Sequence, residues 1–177
     1  HALSEVGLEE EILKMALPMC GRLMHSVKGE MVFQRYGVQD RECIYSISRG
    51  DLNRILMTQA ESTGQVRFHF NHKAKSVDLN ENTVALETEN QVTLRHAFRT
   101  LIGTDGSASC LREAVMEKYQ TKTDVQRLPY GYKELTIPAG PDKAHVFPKN
   151  VLHIWPRSDF MLIALPNLDG TFTATLF

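Results

Sequence analysis

The sequence predicts a mixed α/β chain, α and β segments intermixed, in which strands outnumber helices. Two segments carry apolar residues at helical spacing, residues 8–16 and 48–64. Short strand-like runs separated by polar turns fill residues 66–94, and alternating runs with tight connections return from residue 132 to the end. With 177 residues, 42% hydrophobic and 23% charged, the chain has the size and balance of a globular domain able to bury a core. A formal net charge of −1 leaves no electrostatic footprint for nucleic acid. No apolar run approaches the ~18 residues of a transmembrane helix.

In order along the chain, residues 8–16 read as a helix. Leu8, Ile12 and Met15 make one stripe, and Glu9, Glu10 and Glu11 occupy the first turn, where the helix dipole favours negative charge. Leu17-Pro18 ends it. Residues 21–27 and 31–36, around Lys28-Gly29-Glu30, read as a β-hairpin, and 43–47 as another short strand. Ser48 is a candidate N-cap with Asp51 three residues on. Leu52, Ile55, Leu56 and Gln59 follow at helical spacing, and Gly64 supplies a stop. Strands are expected at 66–70, 74–79, 83–87 and 91–94, a β-meander of the kind inserted as a crossover, with turns at Asn80-Glu81-Asn82 and Thr88-Glu89-Asn90. Residues 100–103 read as a buried-type strand that enters the turn Thr104-Asp105-Gly106 and a helix over 109–119. After a polar linker at 121–127, strands at 132–137, 151–155, 160–165 and 171–177 are joined by connections short enough to make neighbours antiparallel.

Most motif-borne chemistries are missing: there is no GxSxG, HExxH, P-loop or GxGxxG. Cys20, Cys43 and Cys110 are an odd, widely spaced set without CxxC, which argues against a disulfide framework or a zinc site and suits a reducing compartment. His69 and His72, three apart on an expected strand, would point to opposite faces and not share a metal. The turn around Asp105 ends a strand and opens a helix, offering backbone N–H groups and a carboxylate at a helix N-terminus, a setting for a polyol or pyrophosphate. It reads equally as a plain connecting turn, since Asp-Gly is a common turn pair. Arg49, at the start of the Ser48-capped helix, reads on its own as a solvated surface arginine.

Longer strings add a resemblance. Asp105-Gly106 with the trailing Ser109 and Arg112 resembles the DG motif of flavin-dependent aromatic hydroxylases, although Cys110-Leu111 replaces the smaller or β-branched residues usual there. Arg49-Gly50-Asp51-Leu52 and Leu56 resemble the family's R-x-x-L-x-x-x-L helix, whose arginine packs against flavin. Residues 17–26, Tyr36-Gly37, 45–49, 68–72, 129–138, Leu152-His153-Ile154-Trp155-Pro156-Arg157 and 161–167 resemble the kynurenine 3-monooxygenase family in order and spacing, over nearly the whole chain.

The resemblance implies part of an FAD/NAD(P)-binding flavin hydroxylase fold. Residues 1–128 would be a partial FAD-binding domain, including a substrate-contacting hairpin at 20–47. Residues 129–177 would begin the antiparallel substrate-binding sheet. It implies FAD and NADPH as cofactors, and L-kynurenine and O2 as small-molecule partners. The activity would be hydroxylation to 3-hydroxykynurenine, in tryptophan degradation and NAD biosynthesis. The substrate-binding residues it implies are Arg22 and Tyr36 for the amino-acid carboxylate, with Ile44, Leu152, Ile163, Leu165, Thr175 and Phe177 lining the pocket. Those implied for the cofactor are Arg49, Ala74, Asp105, Gly106 and Arg112. No side chain is expected to act as a nucleophile, and no metal is implied. A hydrophobic core face would show the same alternation as the pocket-lining strands.

Both ends read as cuts, with the family's GxGxxG unit before His1 and its later flavin segment and membrane-anchoring helices after Phe177. The chain alone is therefore expected to be soluble, inactive and weak or empty in FAD binding. The full protein would lie on the mitochondrial outer membrane, facing the cytosol, in a eukaryote. Two other readings stay open: a related flavin hydroxylase with another aromatic substrate, and a non-enzymatic truncated product.

Overall fold

Strands from both ends of the sequence meet in one large sheet. The computed structural model describes residues 2–39 and 42–177. In chain order the elements are α1 (Ala2–Glu5), α2 (Glu9–Lys14), β1 (Leu17–Met19), β2 (Gly21–His25), β3 (Met31–Arg35), β4 (Ile44–Ser46), α3 (Arg49–Ser62), β5 (His72–Asp78), β6 (Thr83–Thr88), β7 (Thr93–Ala97), α4 (Cys110–Tyr119), β8 (Lys133–Ile137), β9 (Leu152–Pro156), β10 (Met161–Pro166) and β11 (Phe172–Leu176). Residues 1–65 with 128–177 form one unit, and residues 66–127 form another. No helix among the described residues is long and apolar enough to cross a membrane.

The larger unit holds a six-stranded sheet in the order β3-β2-β9-β10-β11-β8 and a two-stranded sheet of β1 and β4. All neighbours in the larger sheet are antiparallel except β2 and β9, which are parallel. One face is the core: Ala164, Phe172 and Ala174 are buried, with Ile137, Phe147, Trp155 and Leu162 packed against them. Burying such side chains is worth roughly 1.5–3 kcal/mol each for the larger ones, which commits the strands to one register. Gly21 is required by close approach, since a Cβ there would lie 2.5 Å from both the Gln34 carbonyl and the Phe33 ring. A second cluster joins Leu8 and Ile12 of the α2 region to Ile55 of α3, so the expected apolar stripes do meet. The Ser48 hydroxyl accepts from the Asp51 amide at 3.3 Å, the predicted cap.

The smaller unit is the expected meander, β5-β6-β7, all antiparallel, with α4 capped by the Ser109 hydroxyl, which accepts from the Arg112 amide at 3.0 Å. Two strand expectations fail here. Residues 66–70 and 100–103 are not strands. Neither has a pairing partner among the described residues, and Ile102 is 82% exposed where burial was expected. An apolar run alone does not satisfy backbone N–H and C=O groups. The faces assigned to His69 and His72 also fail. Asn71 between them takes a left-handed φ of 55°, and the two rings meet edge-on at 5.8 Å.

The cysteine expectation is corrected as well. Cys20 and Cys43 are disulfide-bonded, with Cα atoms 4.1 Å apart. The cause is register: β1 and β4 pair Met19 with Ile44, so the next residue outward on each strand is a cysteine facing a cysteine. Strand pairing, invisible in the cysteine spacing, brings them together.

Candidate functional site

The register of the six-stranded sheet decides which side chains share a face. Arg22 stands beside Gln34 on β3 and Leu152 on β9. Ile154 stands opposite Ile163, Ile163 opposite Thr175, and Thr175 opposite Glu134. Successive residues of a strand alternate between faces. Arg22, Leu152, Ile163, Leu165, Thr173, Thr175 and Glu134 therefore lie on the face opposite the Ala164–Phe172–Ala174 core. Phe177 continues β11 two residues beyond Thr175, its amide and carbonyl both bonded to Met161 at 2.9 and 3.1 Å, and its ring meets Tyr132 at 6.3 Å.

At the β2 edge, Arg22 Nε donates to Gln34 Oε1 at 2.8 Å. That bond orients the guanidinium through Nε and leaves both Nη groups outside it. Tyr36 follows β3, and its amide donates to the Cys20 carbonyl at 3.1 Å. Burial pushes the Tyr36 hydroxyl above its usual pKa, and the nearby positive charge of Arg22 opposes the rise. A cation and a neutral hydroxyl donor are together the groups that suit a carboxylate. Ile44 lies on β4 of the small sheet, 44% exposed.

A cleft of about 610 Å3 opens at the other end of this face, within the size range of small-molecule sites. Leu165, Thr173, Thr175 and Glu134 form its sheet side; Ser48, Arg49, Gly50 and Asp51, the N-terminal turn of α3, form its helix side. Arg49 Nη2 contacts Glu134 Oε2 at 3.2 Å. The turn 167–169 closes one end, and Asn167 ties it down by donating to the Thr171 and Thr173 hydroxyls at 3.0 and 3.1 Å. Of the predicted residues, Arg49, Leu165 and Thr175 line this cleft; Arg22, Tyr36, Leu152, Ile163 and Phe177 do not. Glu134, Thr173 and Asn167 escaped the reading from sequence. Glu134 and Thr173 stand on the polar side of their own strands' alternation, so the sequence carried no signal that marked them.

In the smaller unit, Asp105 Oδ2 accepts from the Cys110 amide at 3.0 Å. Bonds from the Ser109 hydroxyl foremost, and from backbone amides at the start of α4, hold the Asp105 carboxyl below its usual pKa. Gly106 has a φ of +80°, a conformation that glycine adopts without a steric cost. Arg112 turns back to donate to the Ser107 carbonyl, so Asp105, Gly106 and Arg112 do form one turn. Ala74 lies apart on β5, where the register shifts between Ala74 and Ser76. The predicted cofactor residues thus fall in both units, Arg49 in the larger and the other four in the smaller.

Known proteins match this arrangement. The FAD binding domain family matches residues 1–159. A kynurenine 3-monooxygenase of Myxococcus xanthus is 48% identical over 100% of this chain and 38% of its own length. One of Dictyostelium discoideum is 42% identical over 99% of this chain and 37% of its own. The chain thus spans little more than a third of these curated relatives. Among solved structures, a flavoprotein/dehydrogenase from Cytophaga hutchinsonii superposes with a TM-score of 0.67 at 12% identity, covering 98% of this chain and 42% of that one. That likeness concerns the fold. With the family match running through both the Arg22 hairpin and the Asp105 turn, the chain belongs to the FAD binding domain family.

Proposed function

We propose that the full-length protein is an FAD-dependent monooxygenase that uses NADPH and O2 to hydroxylate L-kynurenine to 3-hydroxykynurenine, and that this chain supplies its substrate face. The observation that supports this most is the single sheet face that carries Arg22, held by Gln34, beside an apolar floor of Leu152, Ile163 and Leu165, with Tyr36 just past the end of the neighbouring strand β3. An aromatic amino acid has these two ends, one anionic and one apolar.

The residues present fit a flavin. The cleft is walled by the first turn of a 14-residue helix, whose unpaired N–H groups favour an electron-rich or anionic group. Arg49 stands at its mouth, and the Asp105-Gly106 turn of the other unit suits a polyol or pyrophosphate. Arg49 in the larger unit, and separately Ala74, Asp105, Gly106 and Arg112 in the smaller, are the residues proposed to contact FAD. When bound, FAD supplies the activated oxygen that the side chains of this chain cannot. Arg22 and Tyr36 would fix the amino-acid end of the substrate by a bidentate contact and a directed hydroxyl bond. Leu152, Ile163 and Leu165 would hold the aromatic ring and exclude water around it. In this reading residues 1–128 belong to the FAD-binding part, with the hairpin at 20–47 turned toward substrate, and 129–177 open the substrate-binding sheet.

The test is NADPH oxidation by the full-length protein with and without L-kynurenine, with product identified. Strong stimulation with matching 3-hydroxykynurenine is the expected result. Bound FAD without stimulation would overturn the kynurenine assignment in favour of another aromatic substrate.

A further inference from the structure

Behind Arg22, on the core face, two histidines join β2 and β9, the one parallel pair of the six-stranded sheet among the described residues. That junction pairs Arg22 with Leu152, Leu23 with His153 and Met24 with Ile154. It connects the hairpin bearing the carboxylate site to the strands bearing the apolar floor. His25 and His153 are 8% and 0% exposed, and His25 Nε2 lies 2.9 Å from His153 Nδ1.

Their protonation follows from their partners. His153 Nε2 lies 2.8 Å from the Pro148 carbonyl, which can only accept, so Nε2 carries the proton. The Nδ1 of a neutral His153 then accepts, and His25 Nε2 donates. The rest of the enclosure is aromatic. Trp155 stacks on His25 at 4.3 Å, and Phe147 and Phe172 approach His153 at 5.3 and 5.6 Å. The charged group facing the pair is Arg157, whose Nη1 donates to the His25 carbonyl at 3.2 Å, a second tie across the same junction. A buried polar pair is costly unless satisfied, and satisfied it is directional. The backbone ladder and the buried side chains set the β2–β9 register, and the bonded pair adds a directional constraint across it.

We propose that His25 and His153 are positioning residues for the carboxylate site: their hydrogen bond fixes β2 against β9 and so sets Arg22 at its working distance from the apolar floor. This rests on the reading given under Proposed function. Leu152 adjoins His153 on β9, and Arg22 lies three residues before His25 on the same five-residue strand β2, so an offset in the bond is passed along short stretches of strand to the site.

The experiment uses FAD-loaded full-length protein. Binding of L-kynurenine and of the same compound without its carboxylate is measured for wild type, His25→Gln and His25→Asn. Gln places an amide nitrogen where Nε2 stands; Asn, equally polar, falls short of His153. His25→Gln is expected to bind both compounds within about threefold of wild type. His25→Asn is expected to lose about tenfold or more for kynurenine and little for the decarboxylated compound, as small misplacements of a binding group do. FAD content is expected to be unchanged. Equal behaviour of the two variants toward kynurenine, or equal losses for both compounds in His25→Asn, would overturn the inference and leave the pair a structural contact. If His25→Asn fails to fold, His153→Asn, which keeps an acceptor at the Nδ1 position, is compared with His153→Leu, with the same selective loss expected only in the latter. A wild type that binds neither compound overturns the kynurenine reading and this inference with it. A wild type that prefers the carboxylate compound, with variants that do so equally, overturns this inference alone.

Discussion

On one face of the six-stranded sheet stand Ala164, Phe172 and Ala174, closed over by Ile137, Phe147, Trp155 and Leu162. One residue along each strand, on the other face, stand Arg22, Leu152, Ile163, Thr175 and Glu134. The backbone and its period-two alternation are the same for both. What differs is how polar groups are handled. At the β2–β9 junction the core face buries polarity as the mutually bonded His25–His153 pair. The site face carries a cation held by Gln34, two threonines and a carboxylate. Alternation therefore locates the two faces, and the unspent hydrogen-bonding capacity of side chains distinguishes the face proposed for substrate.

The comparison is broken most sharply by Phe172→Ala. Phe172 has no exposed surface, and its truncation is expected to cost about 3–5 kcal/mol in denaturant unfolding. Ile163→Ala, half-buried on the opposite face, is expected to cost less than about 2 kcal/mol. Equal costs would mean that the second face is also core. Arg22→Ala reverses the pattern. Kynurenine affinity is expected to fall about 100-fold, from loss of charged hydrogen bonds worth roughly 1.5–3 kcal/mol, with stability within about 0.5 kcal/mol of wild type. A large melting shift would instead make Arg22 a structural residue.

The core histidines give a pH signature. Burial foremost, then the proximity of His153 and Arg157, holds His25 below the ordinary histidine value of 6.5, and burial does the same for His153. The unfolded chain takes up these protons near 6.5 while the folded chain resists them. Stability is therefore full above that pH and falls as pH drops below it, by up to about 1.4 kcal/mol per pH unit for each histidine. Unfolding free energies that stay level below 6.5 in wild type, or fall equally in a variant lacking both imidazoles, would sink this account. The smallest effect expected is that of Ser48→Ala at the cleft, about 1 kcal/mol from loss of the cap, read from the melting temperature.

Much of this molecule was legible in its residues. The Ser48 cap, the 21–36 hairpin, the meander and the last four strands follow from local spacing and turn chemistry, which are short-range causes. The alternation of Ile163 with Leu165 and of Thr175 with Phe177 placed each pair on one face before any pairing was known. The rest depended on pairing itself. Residues 66–70 and 100–103 have strand-like composition, yet no neighbouring strand among the described residues completes their hydrogen bonds. The Cys20–Cys43 bond follows from β1–β4 register, which no spacing rule contains. Glu134 enters the cleft only because β8 lies beside β11, a pairing of strands distant in sequence.

The parallel β2–β9 junction also bears on how the protein comes to be made. Its two histidines are 128 positions apart, and the whole of the smaller unit is synthesised between them. As the chain leaves the ribosome, the meander can close on its own near contacts, whereas the finished hairpin must wait with one edge unpaired until β9 emerges. Such distant pairings slow folding, and an unpaired edge is open to unwanted association during the wait. The Arg22 surface is thus translated well before β9 and completed only when β9 pairs with it.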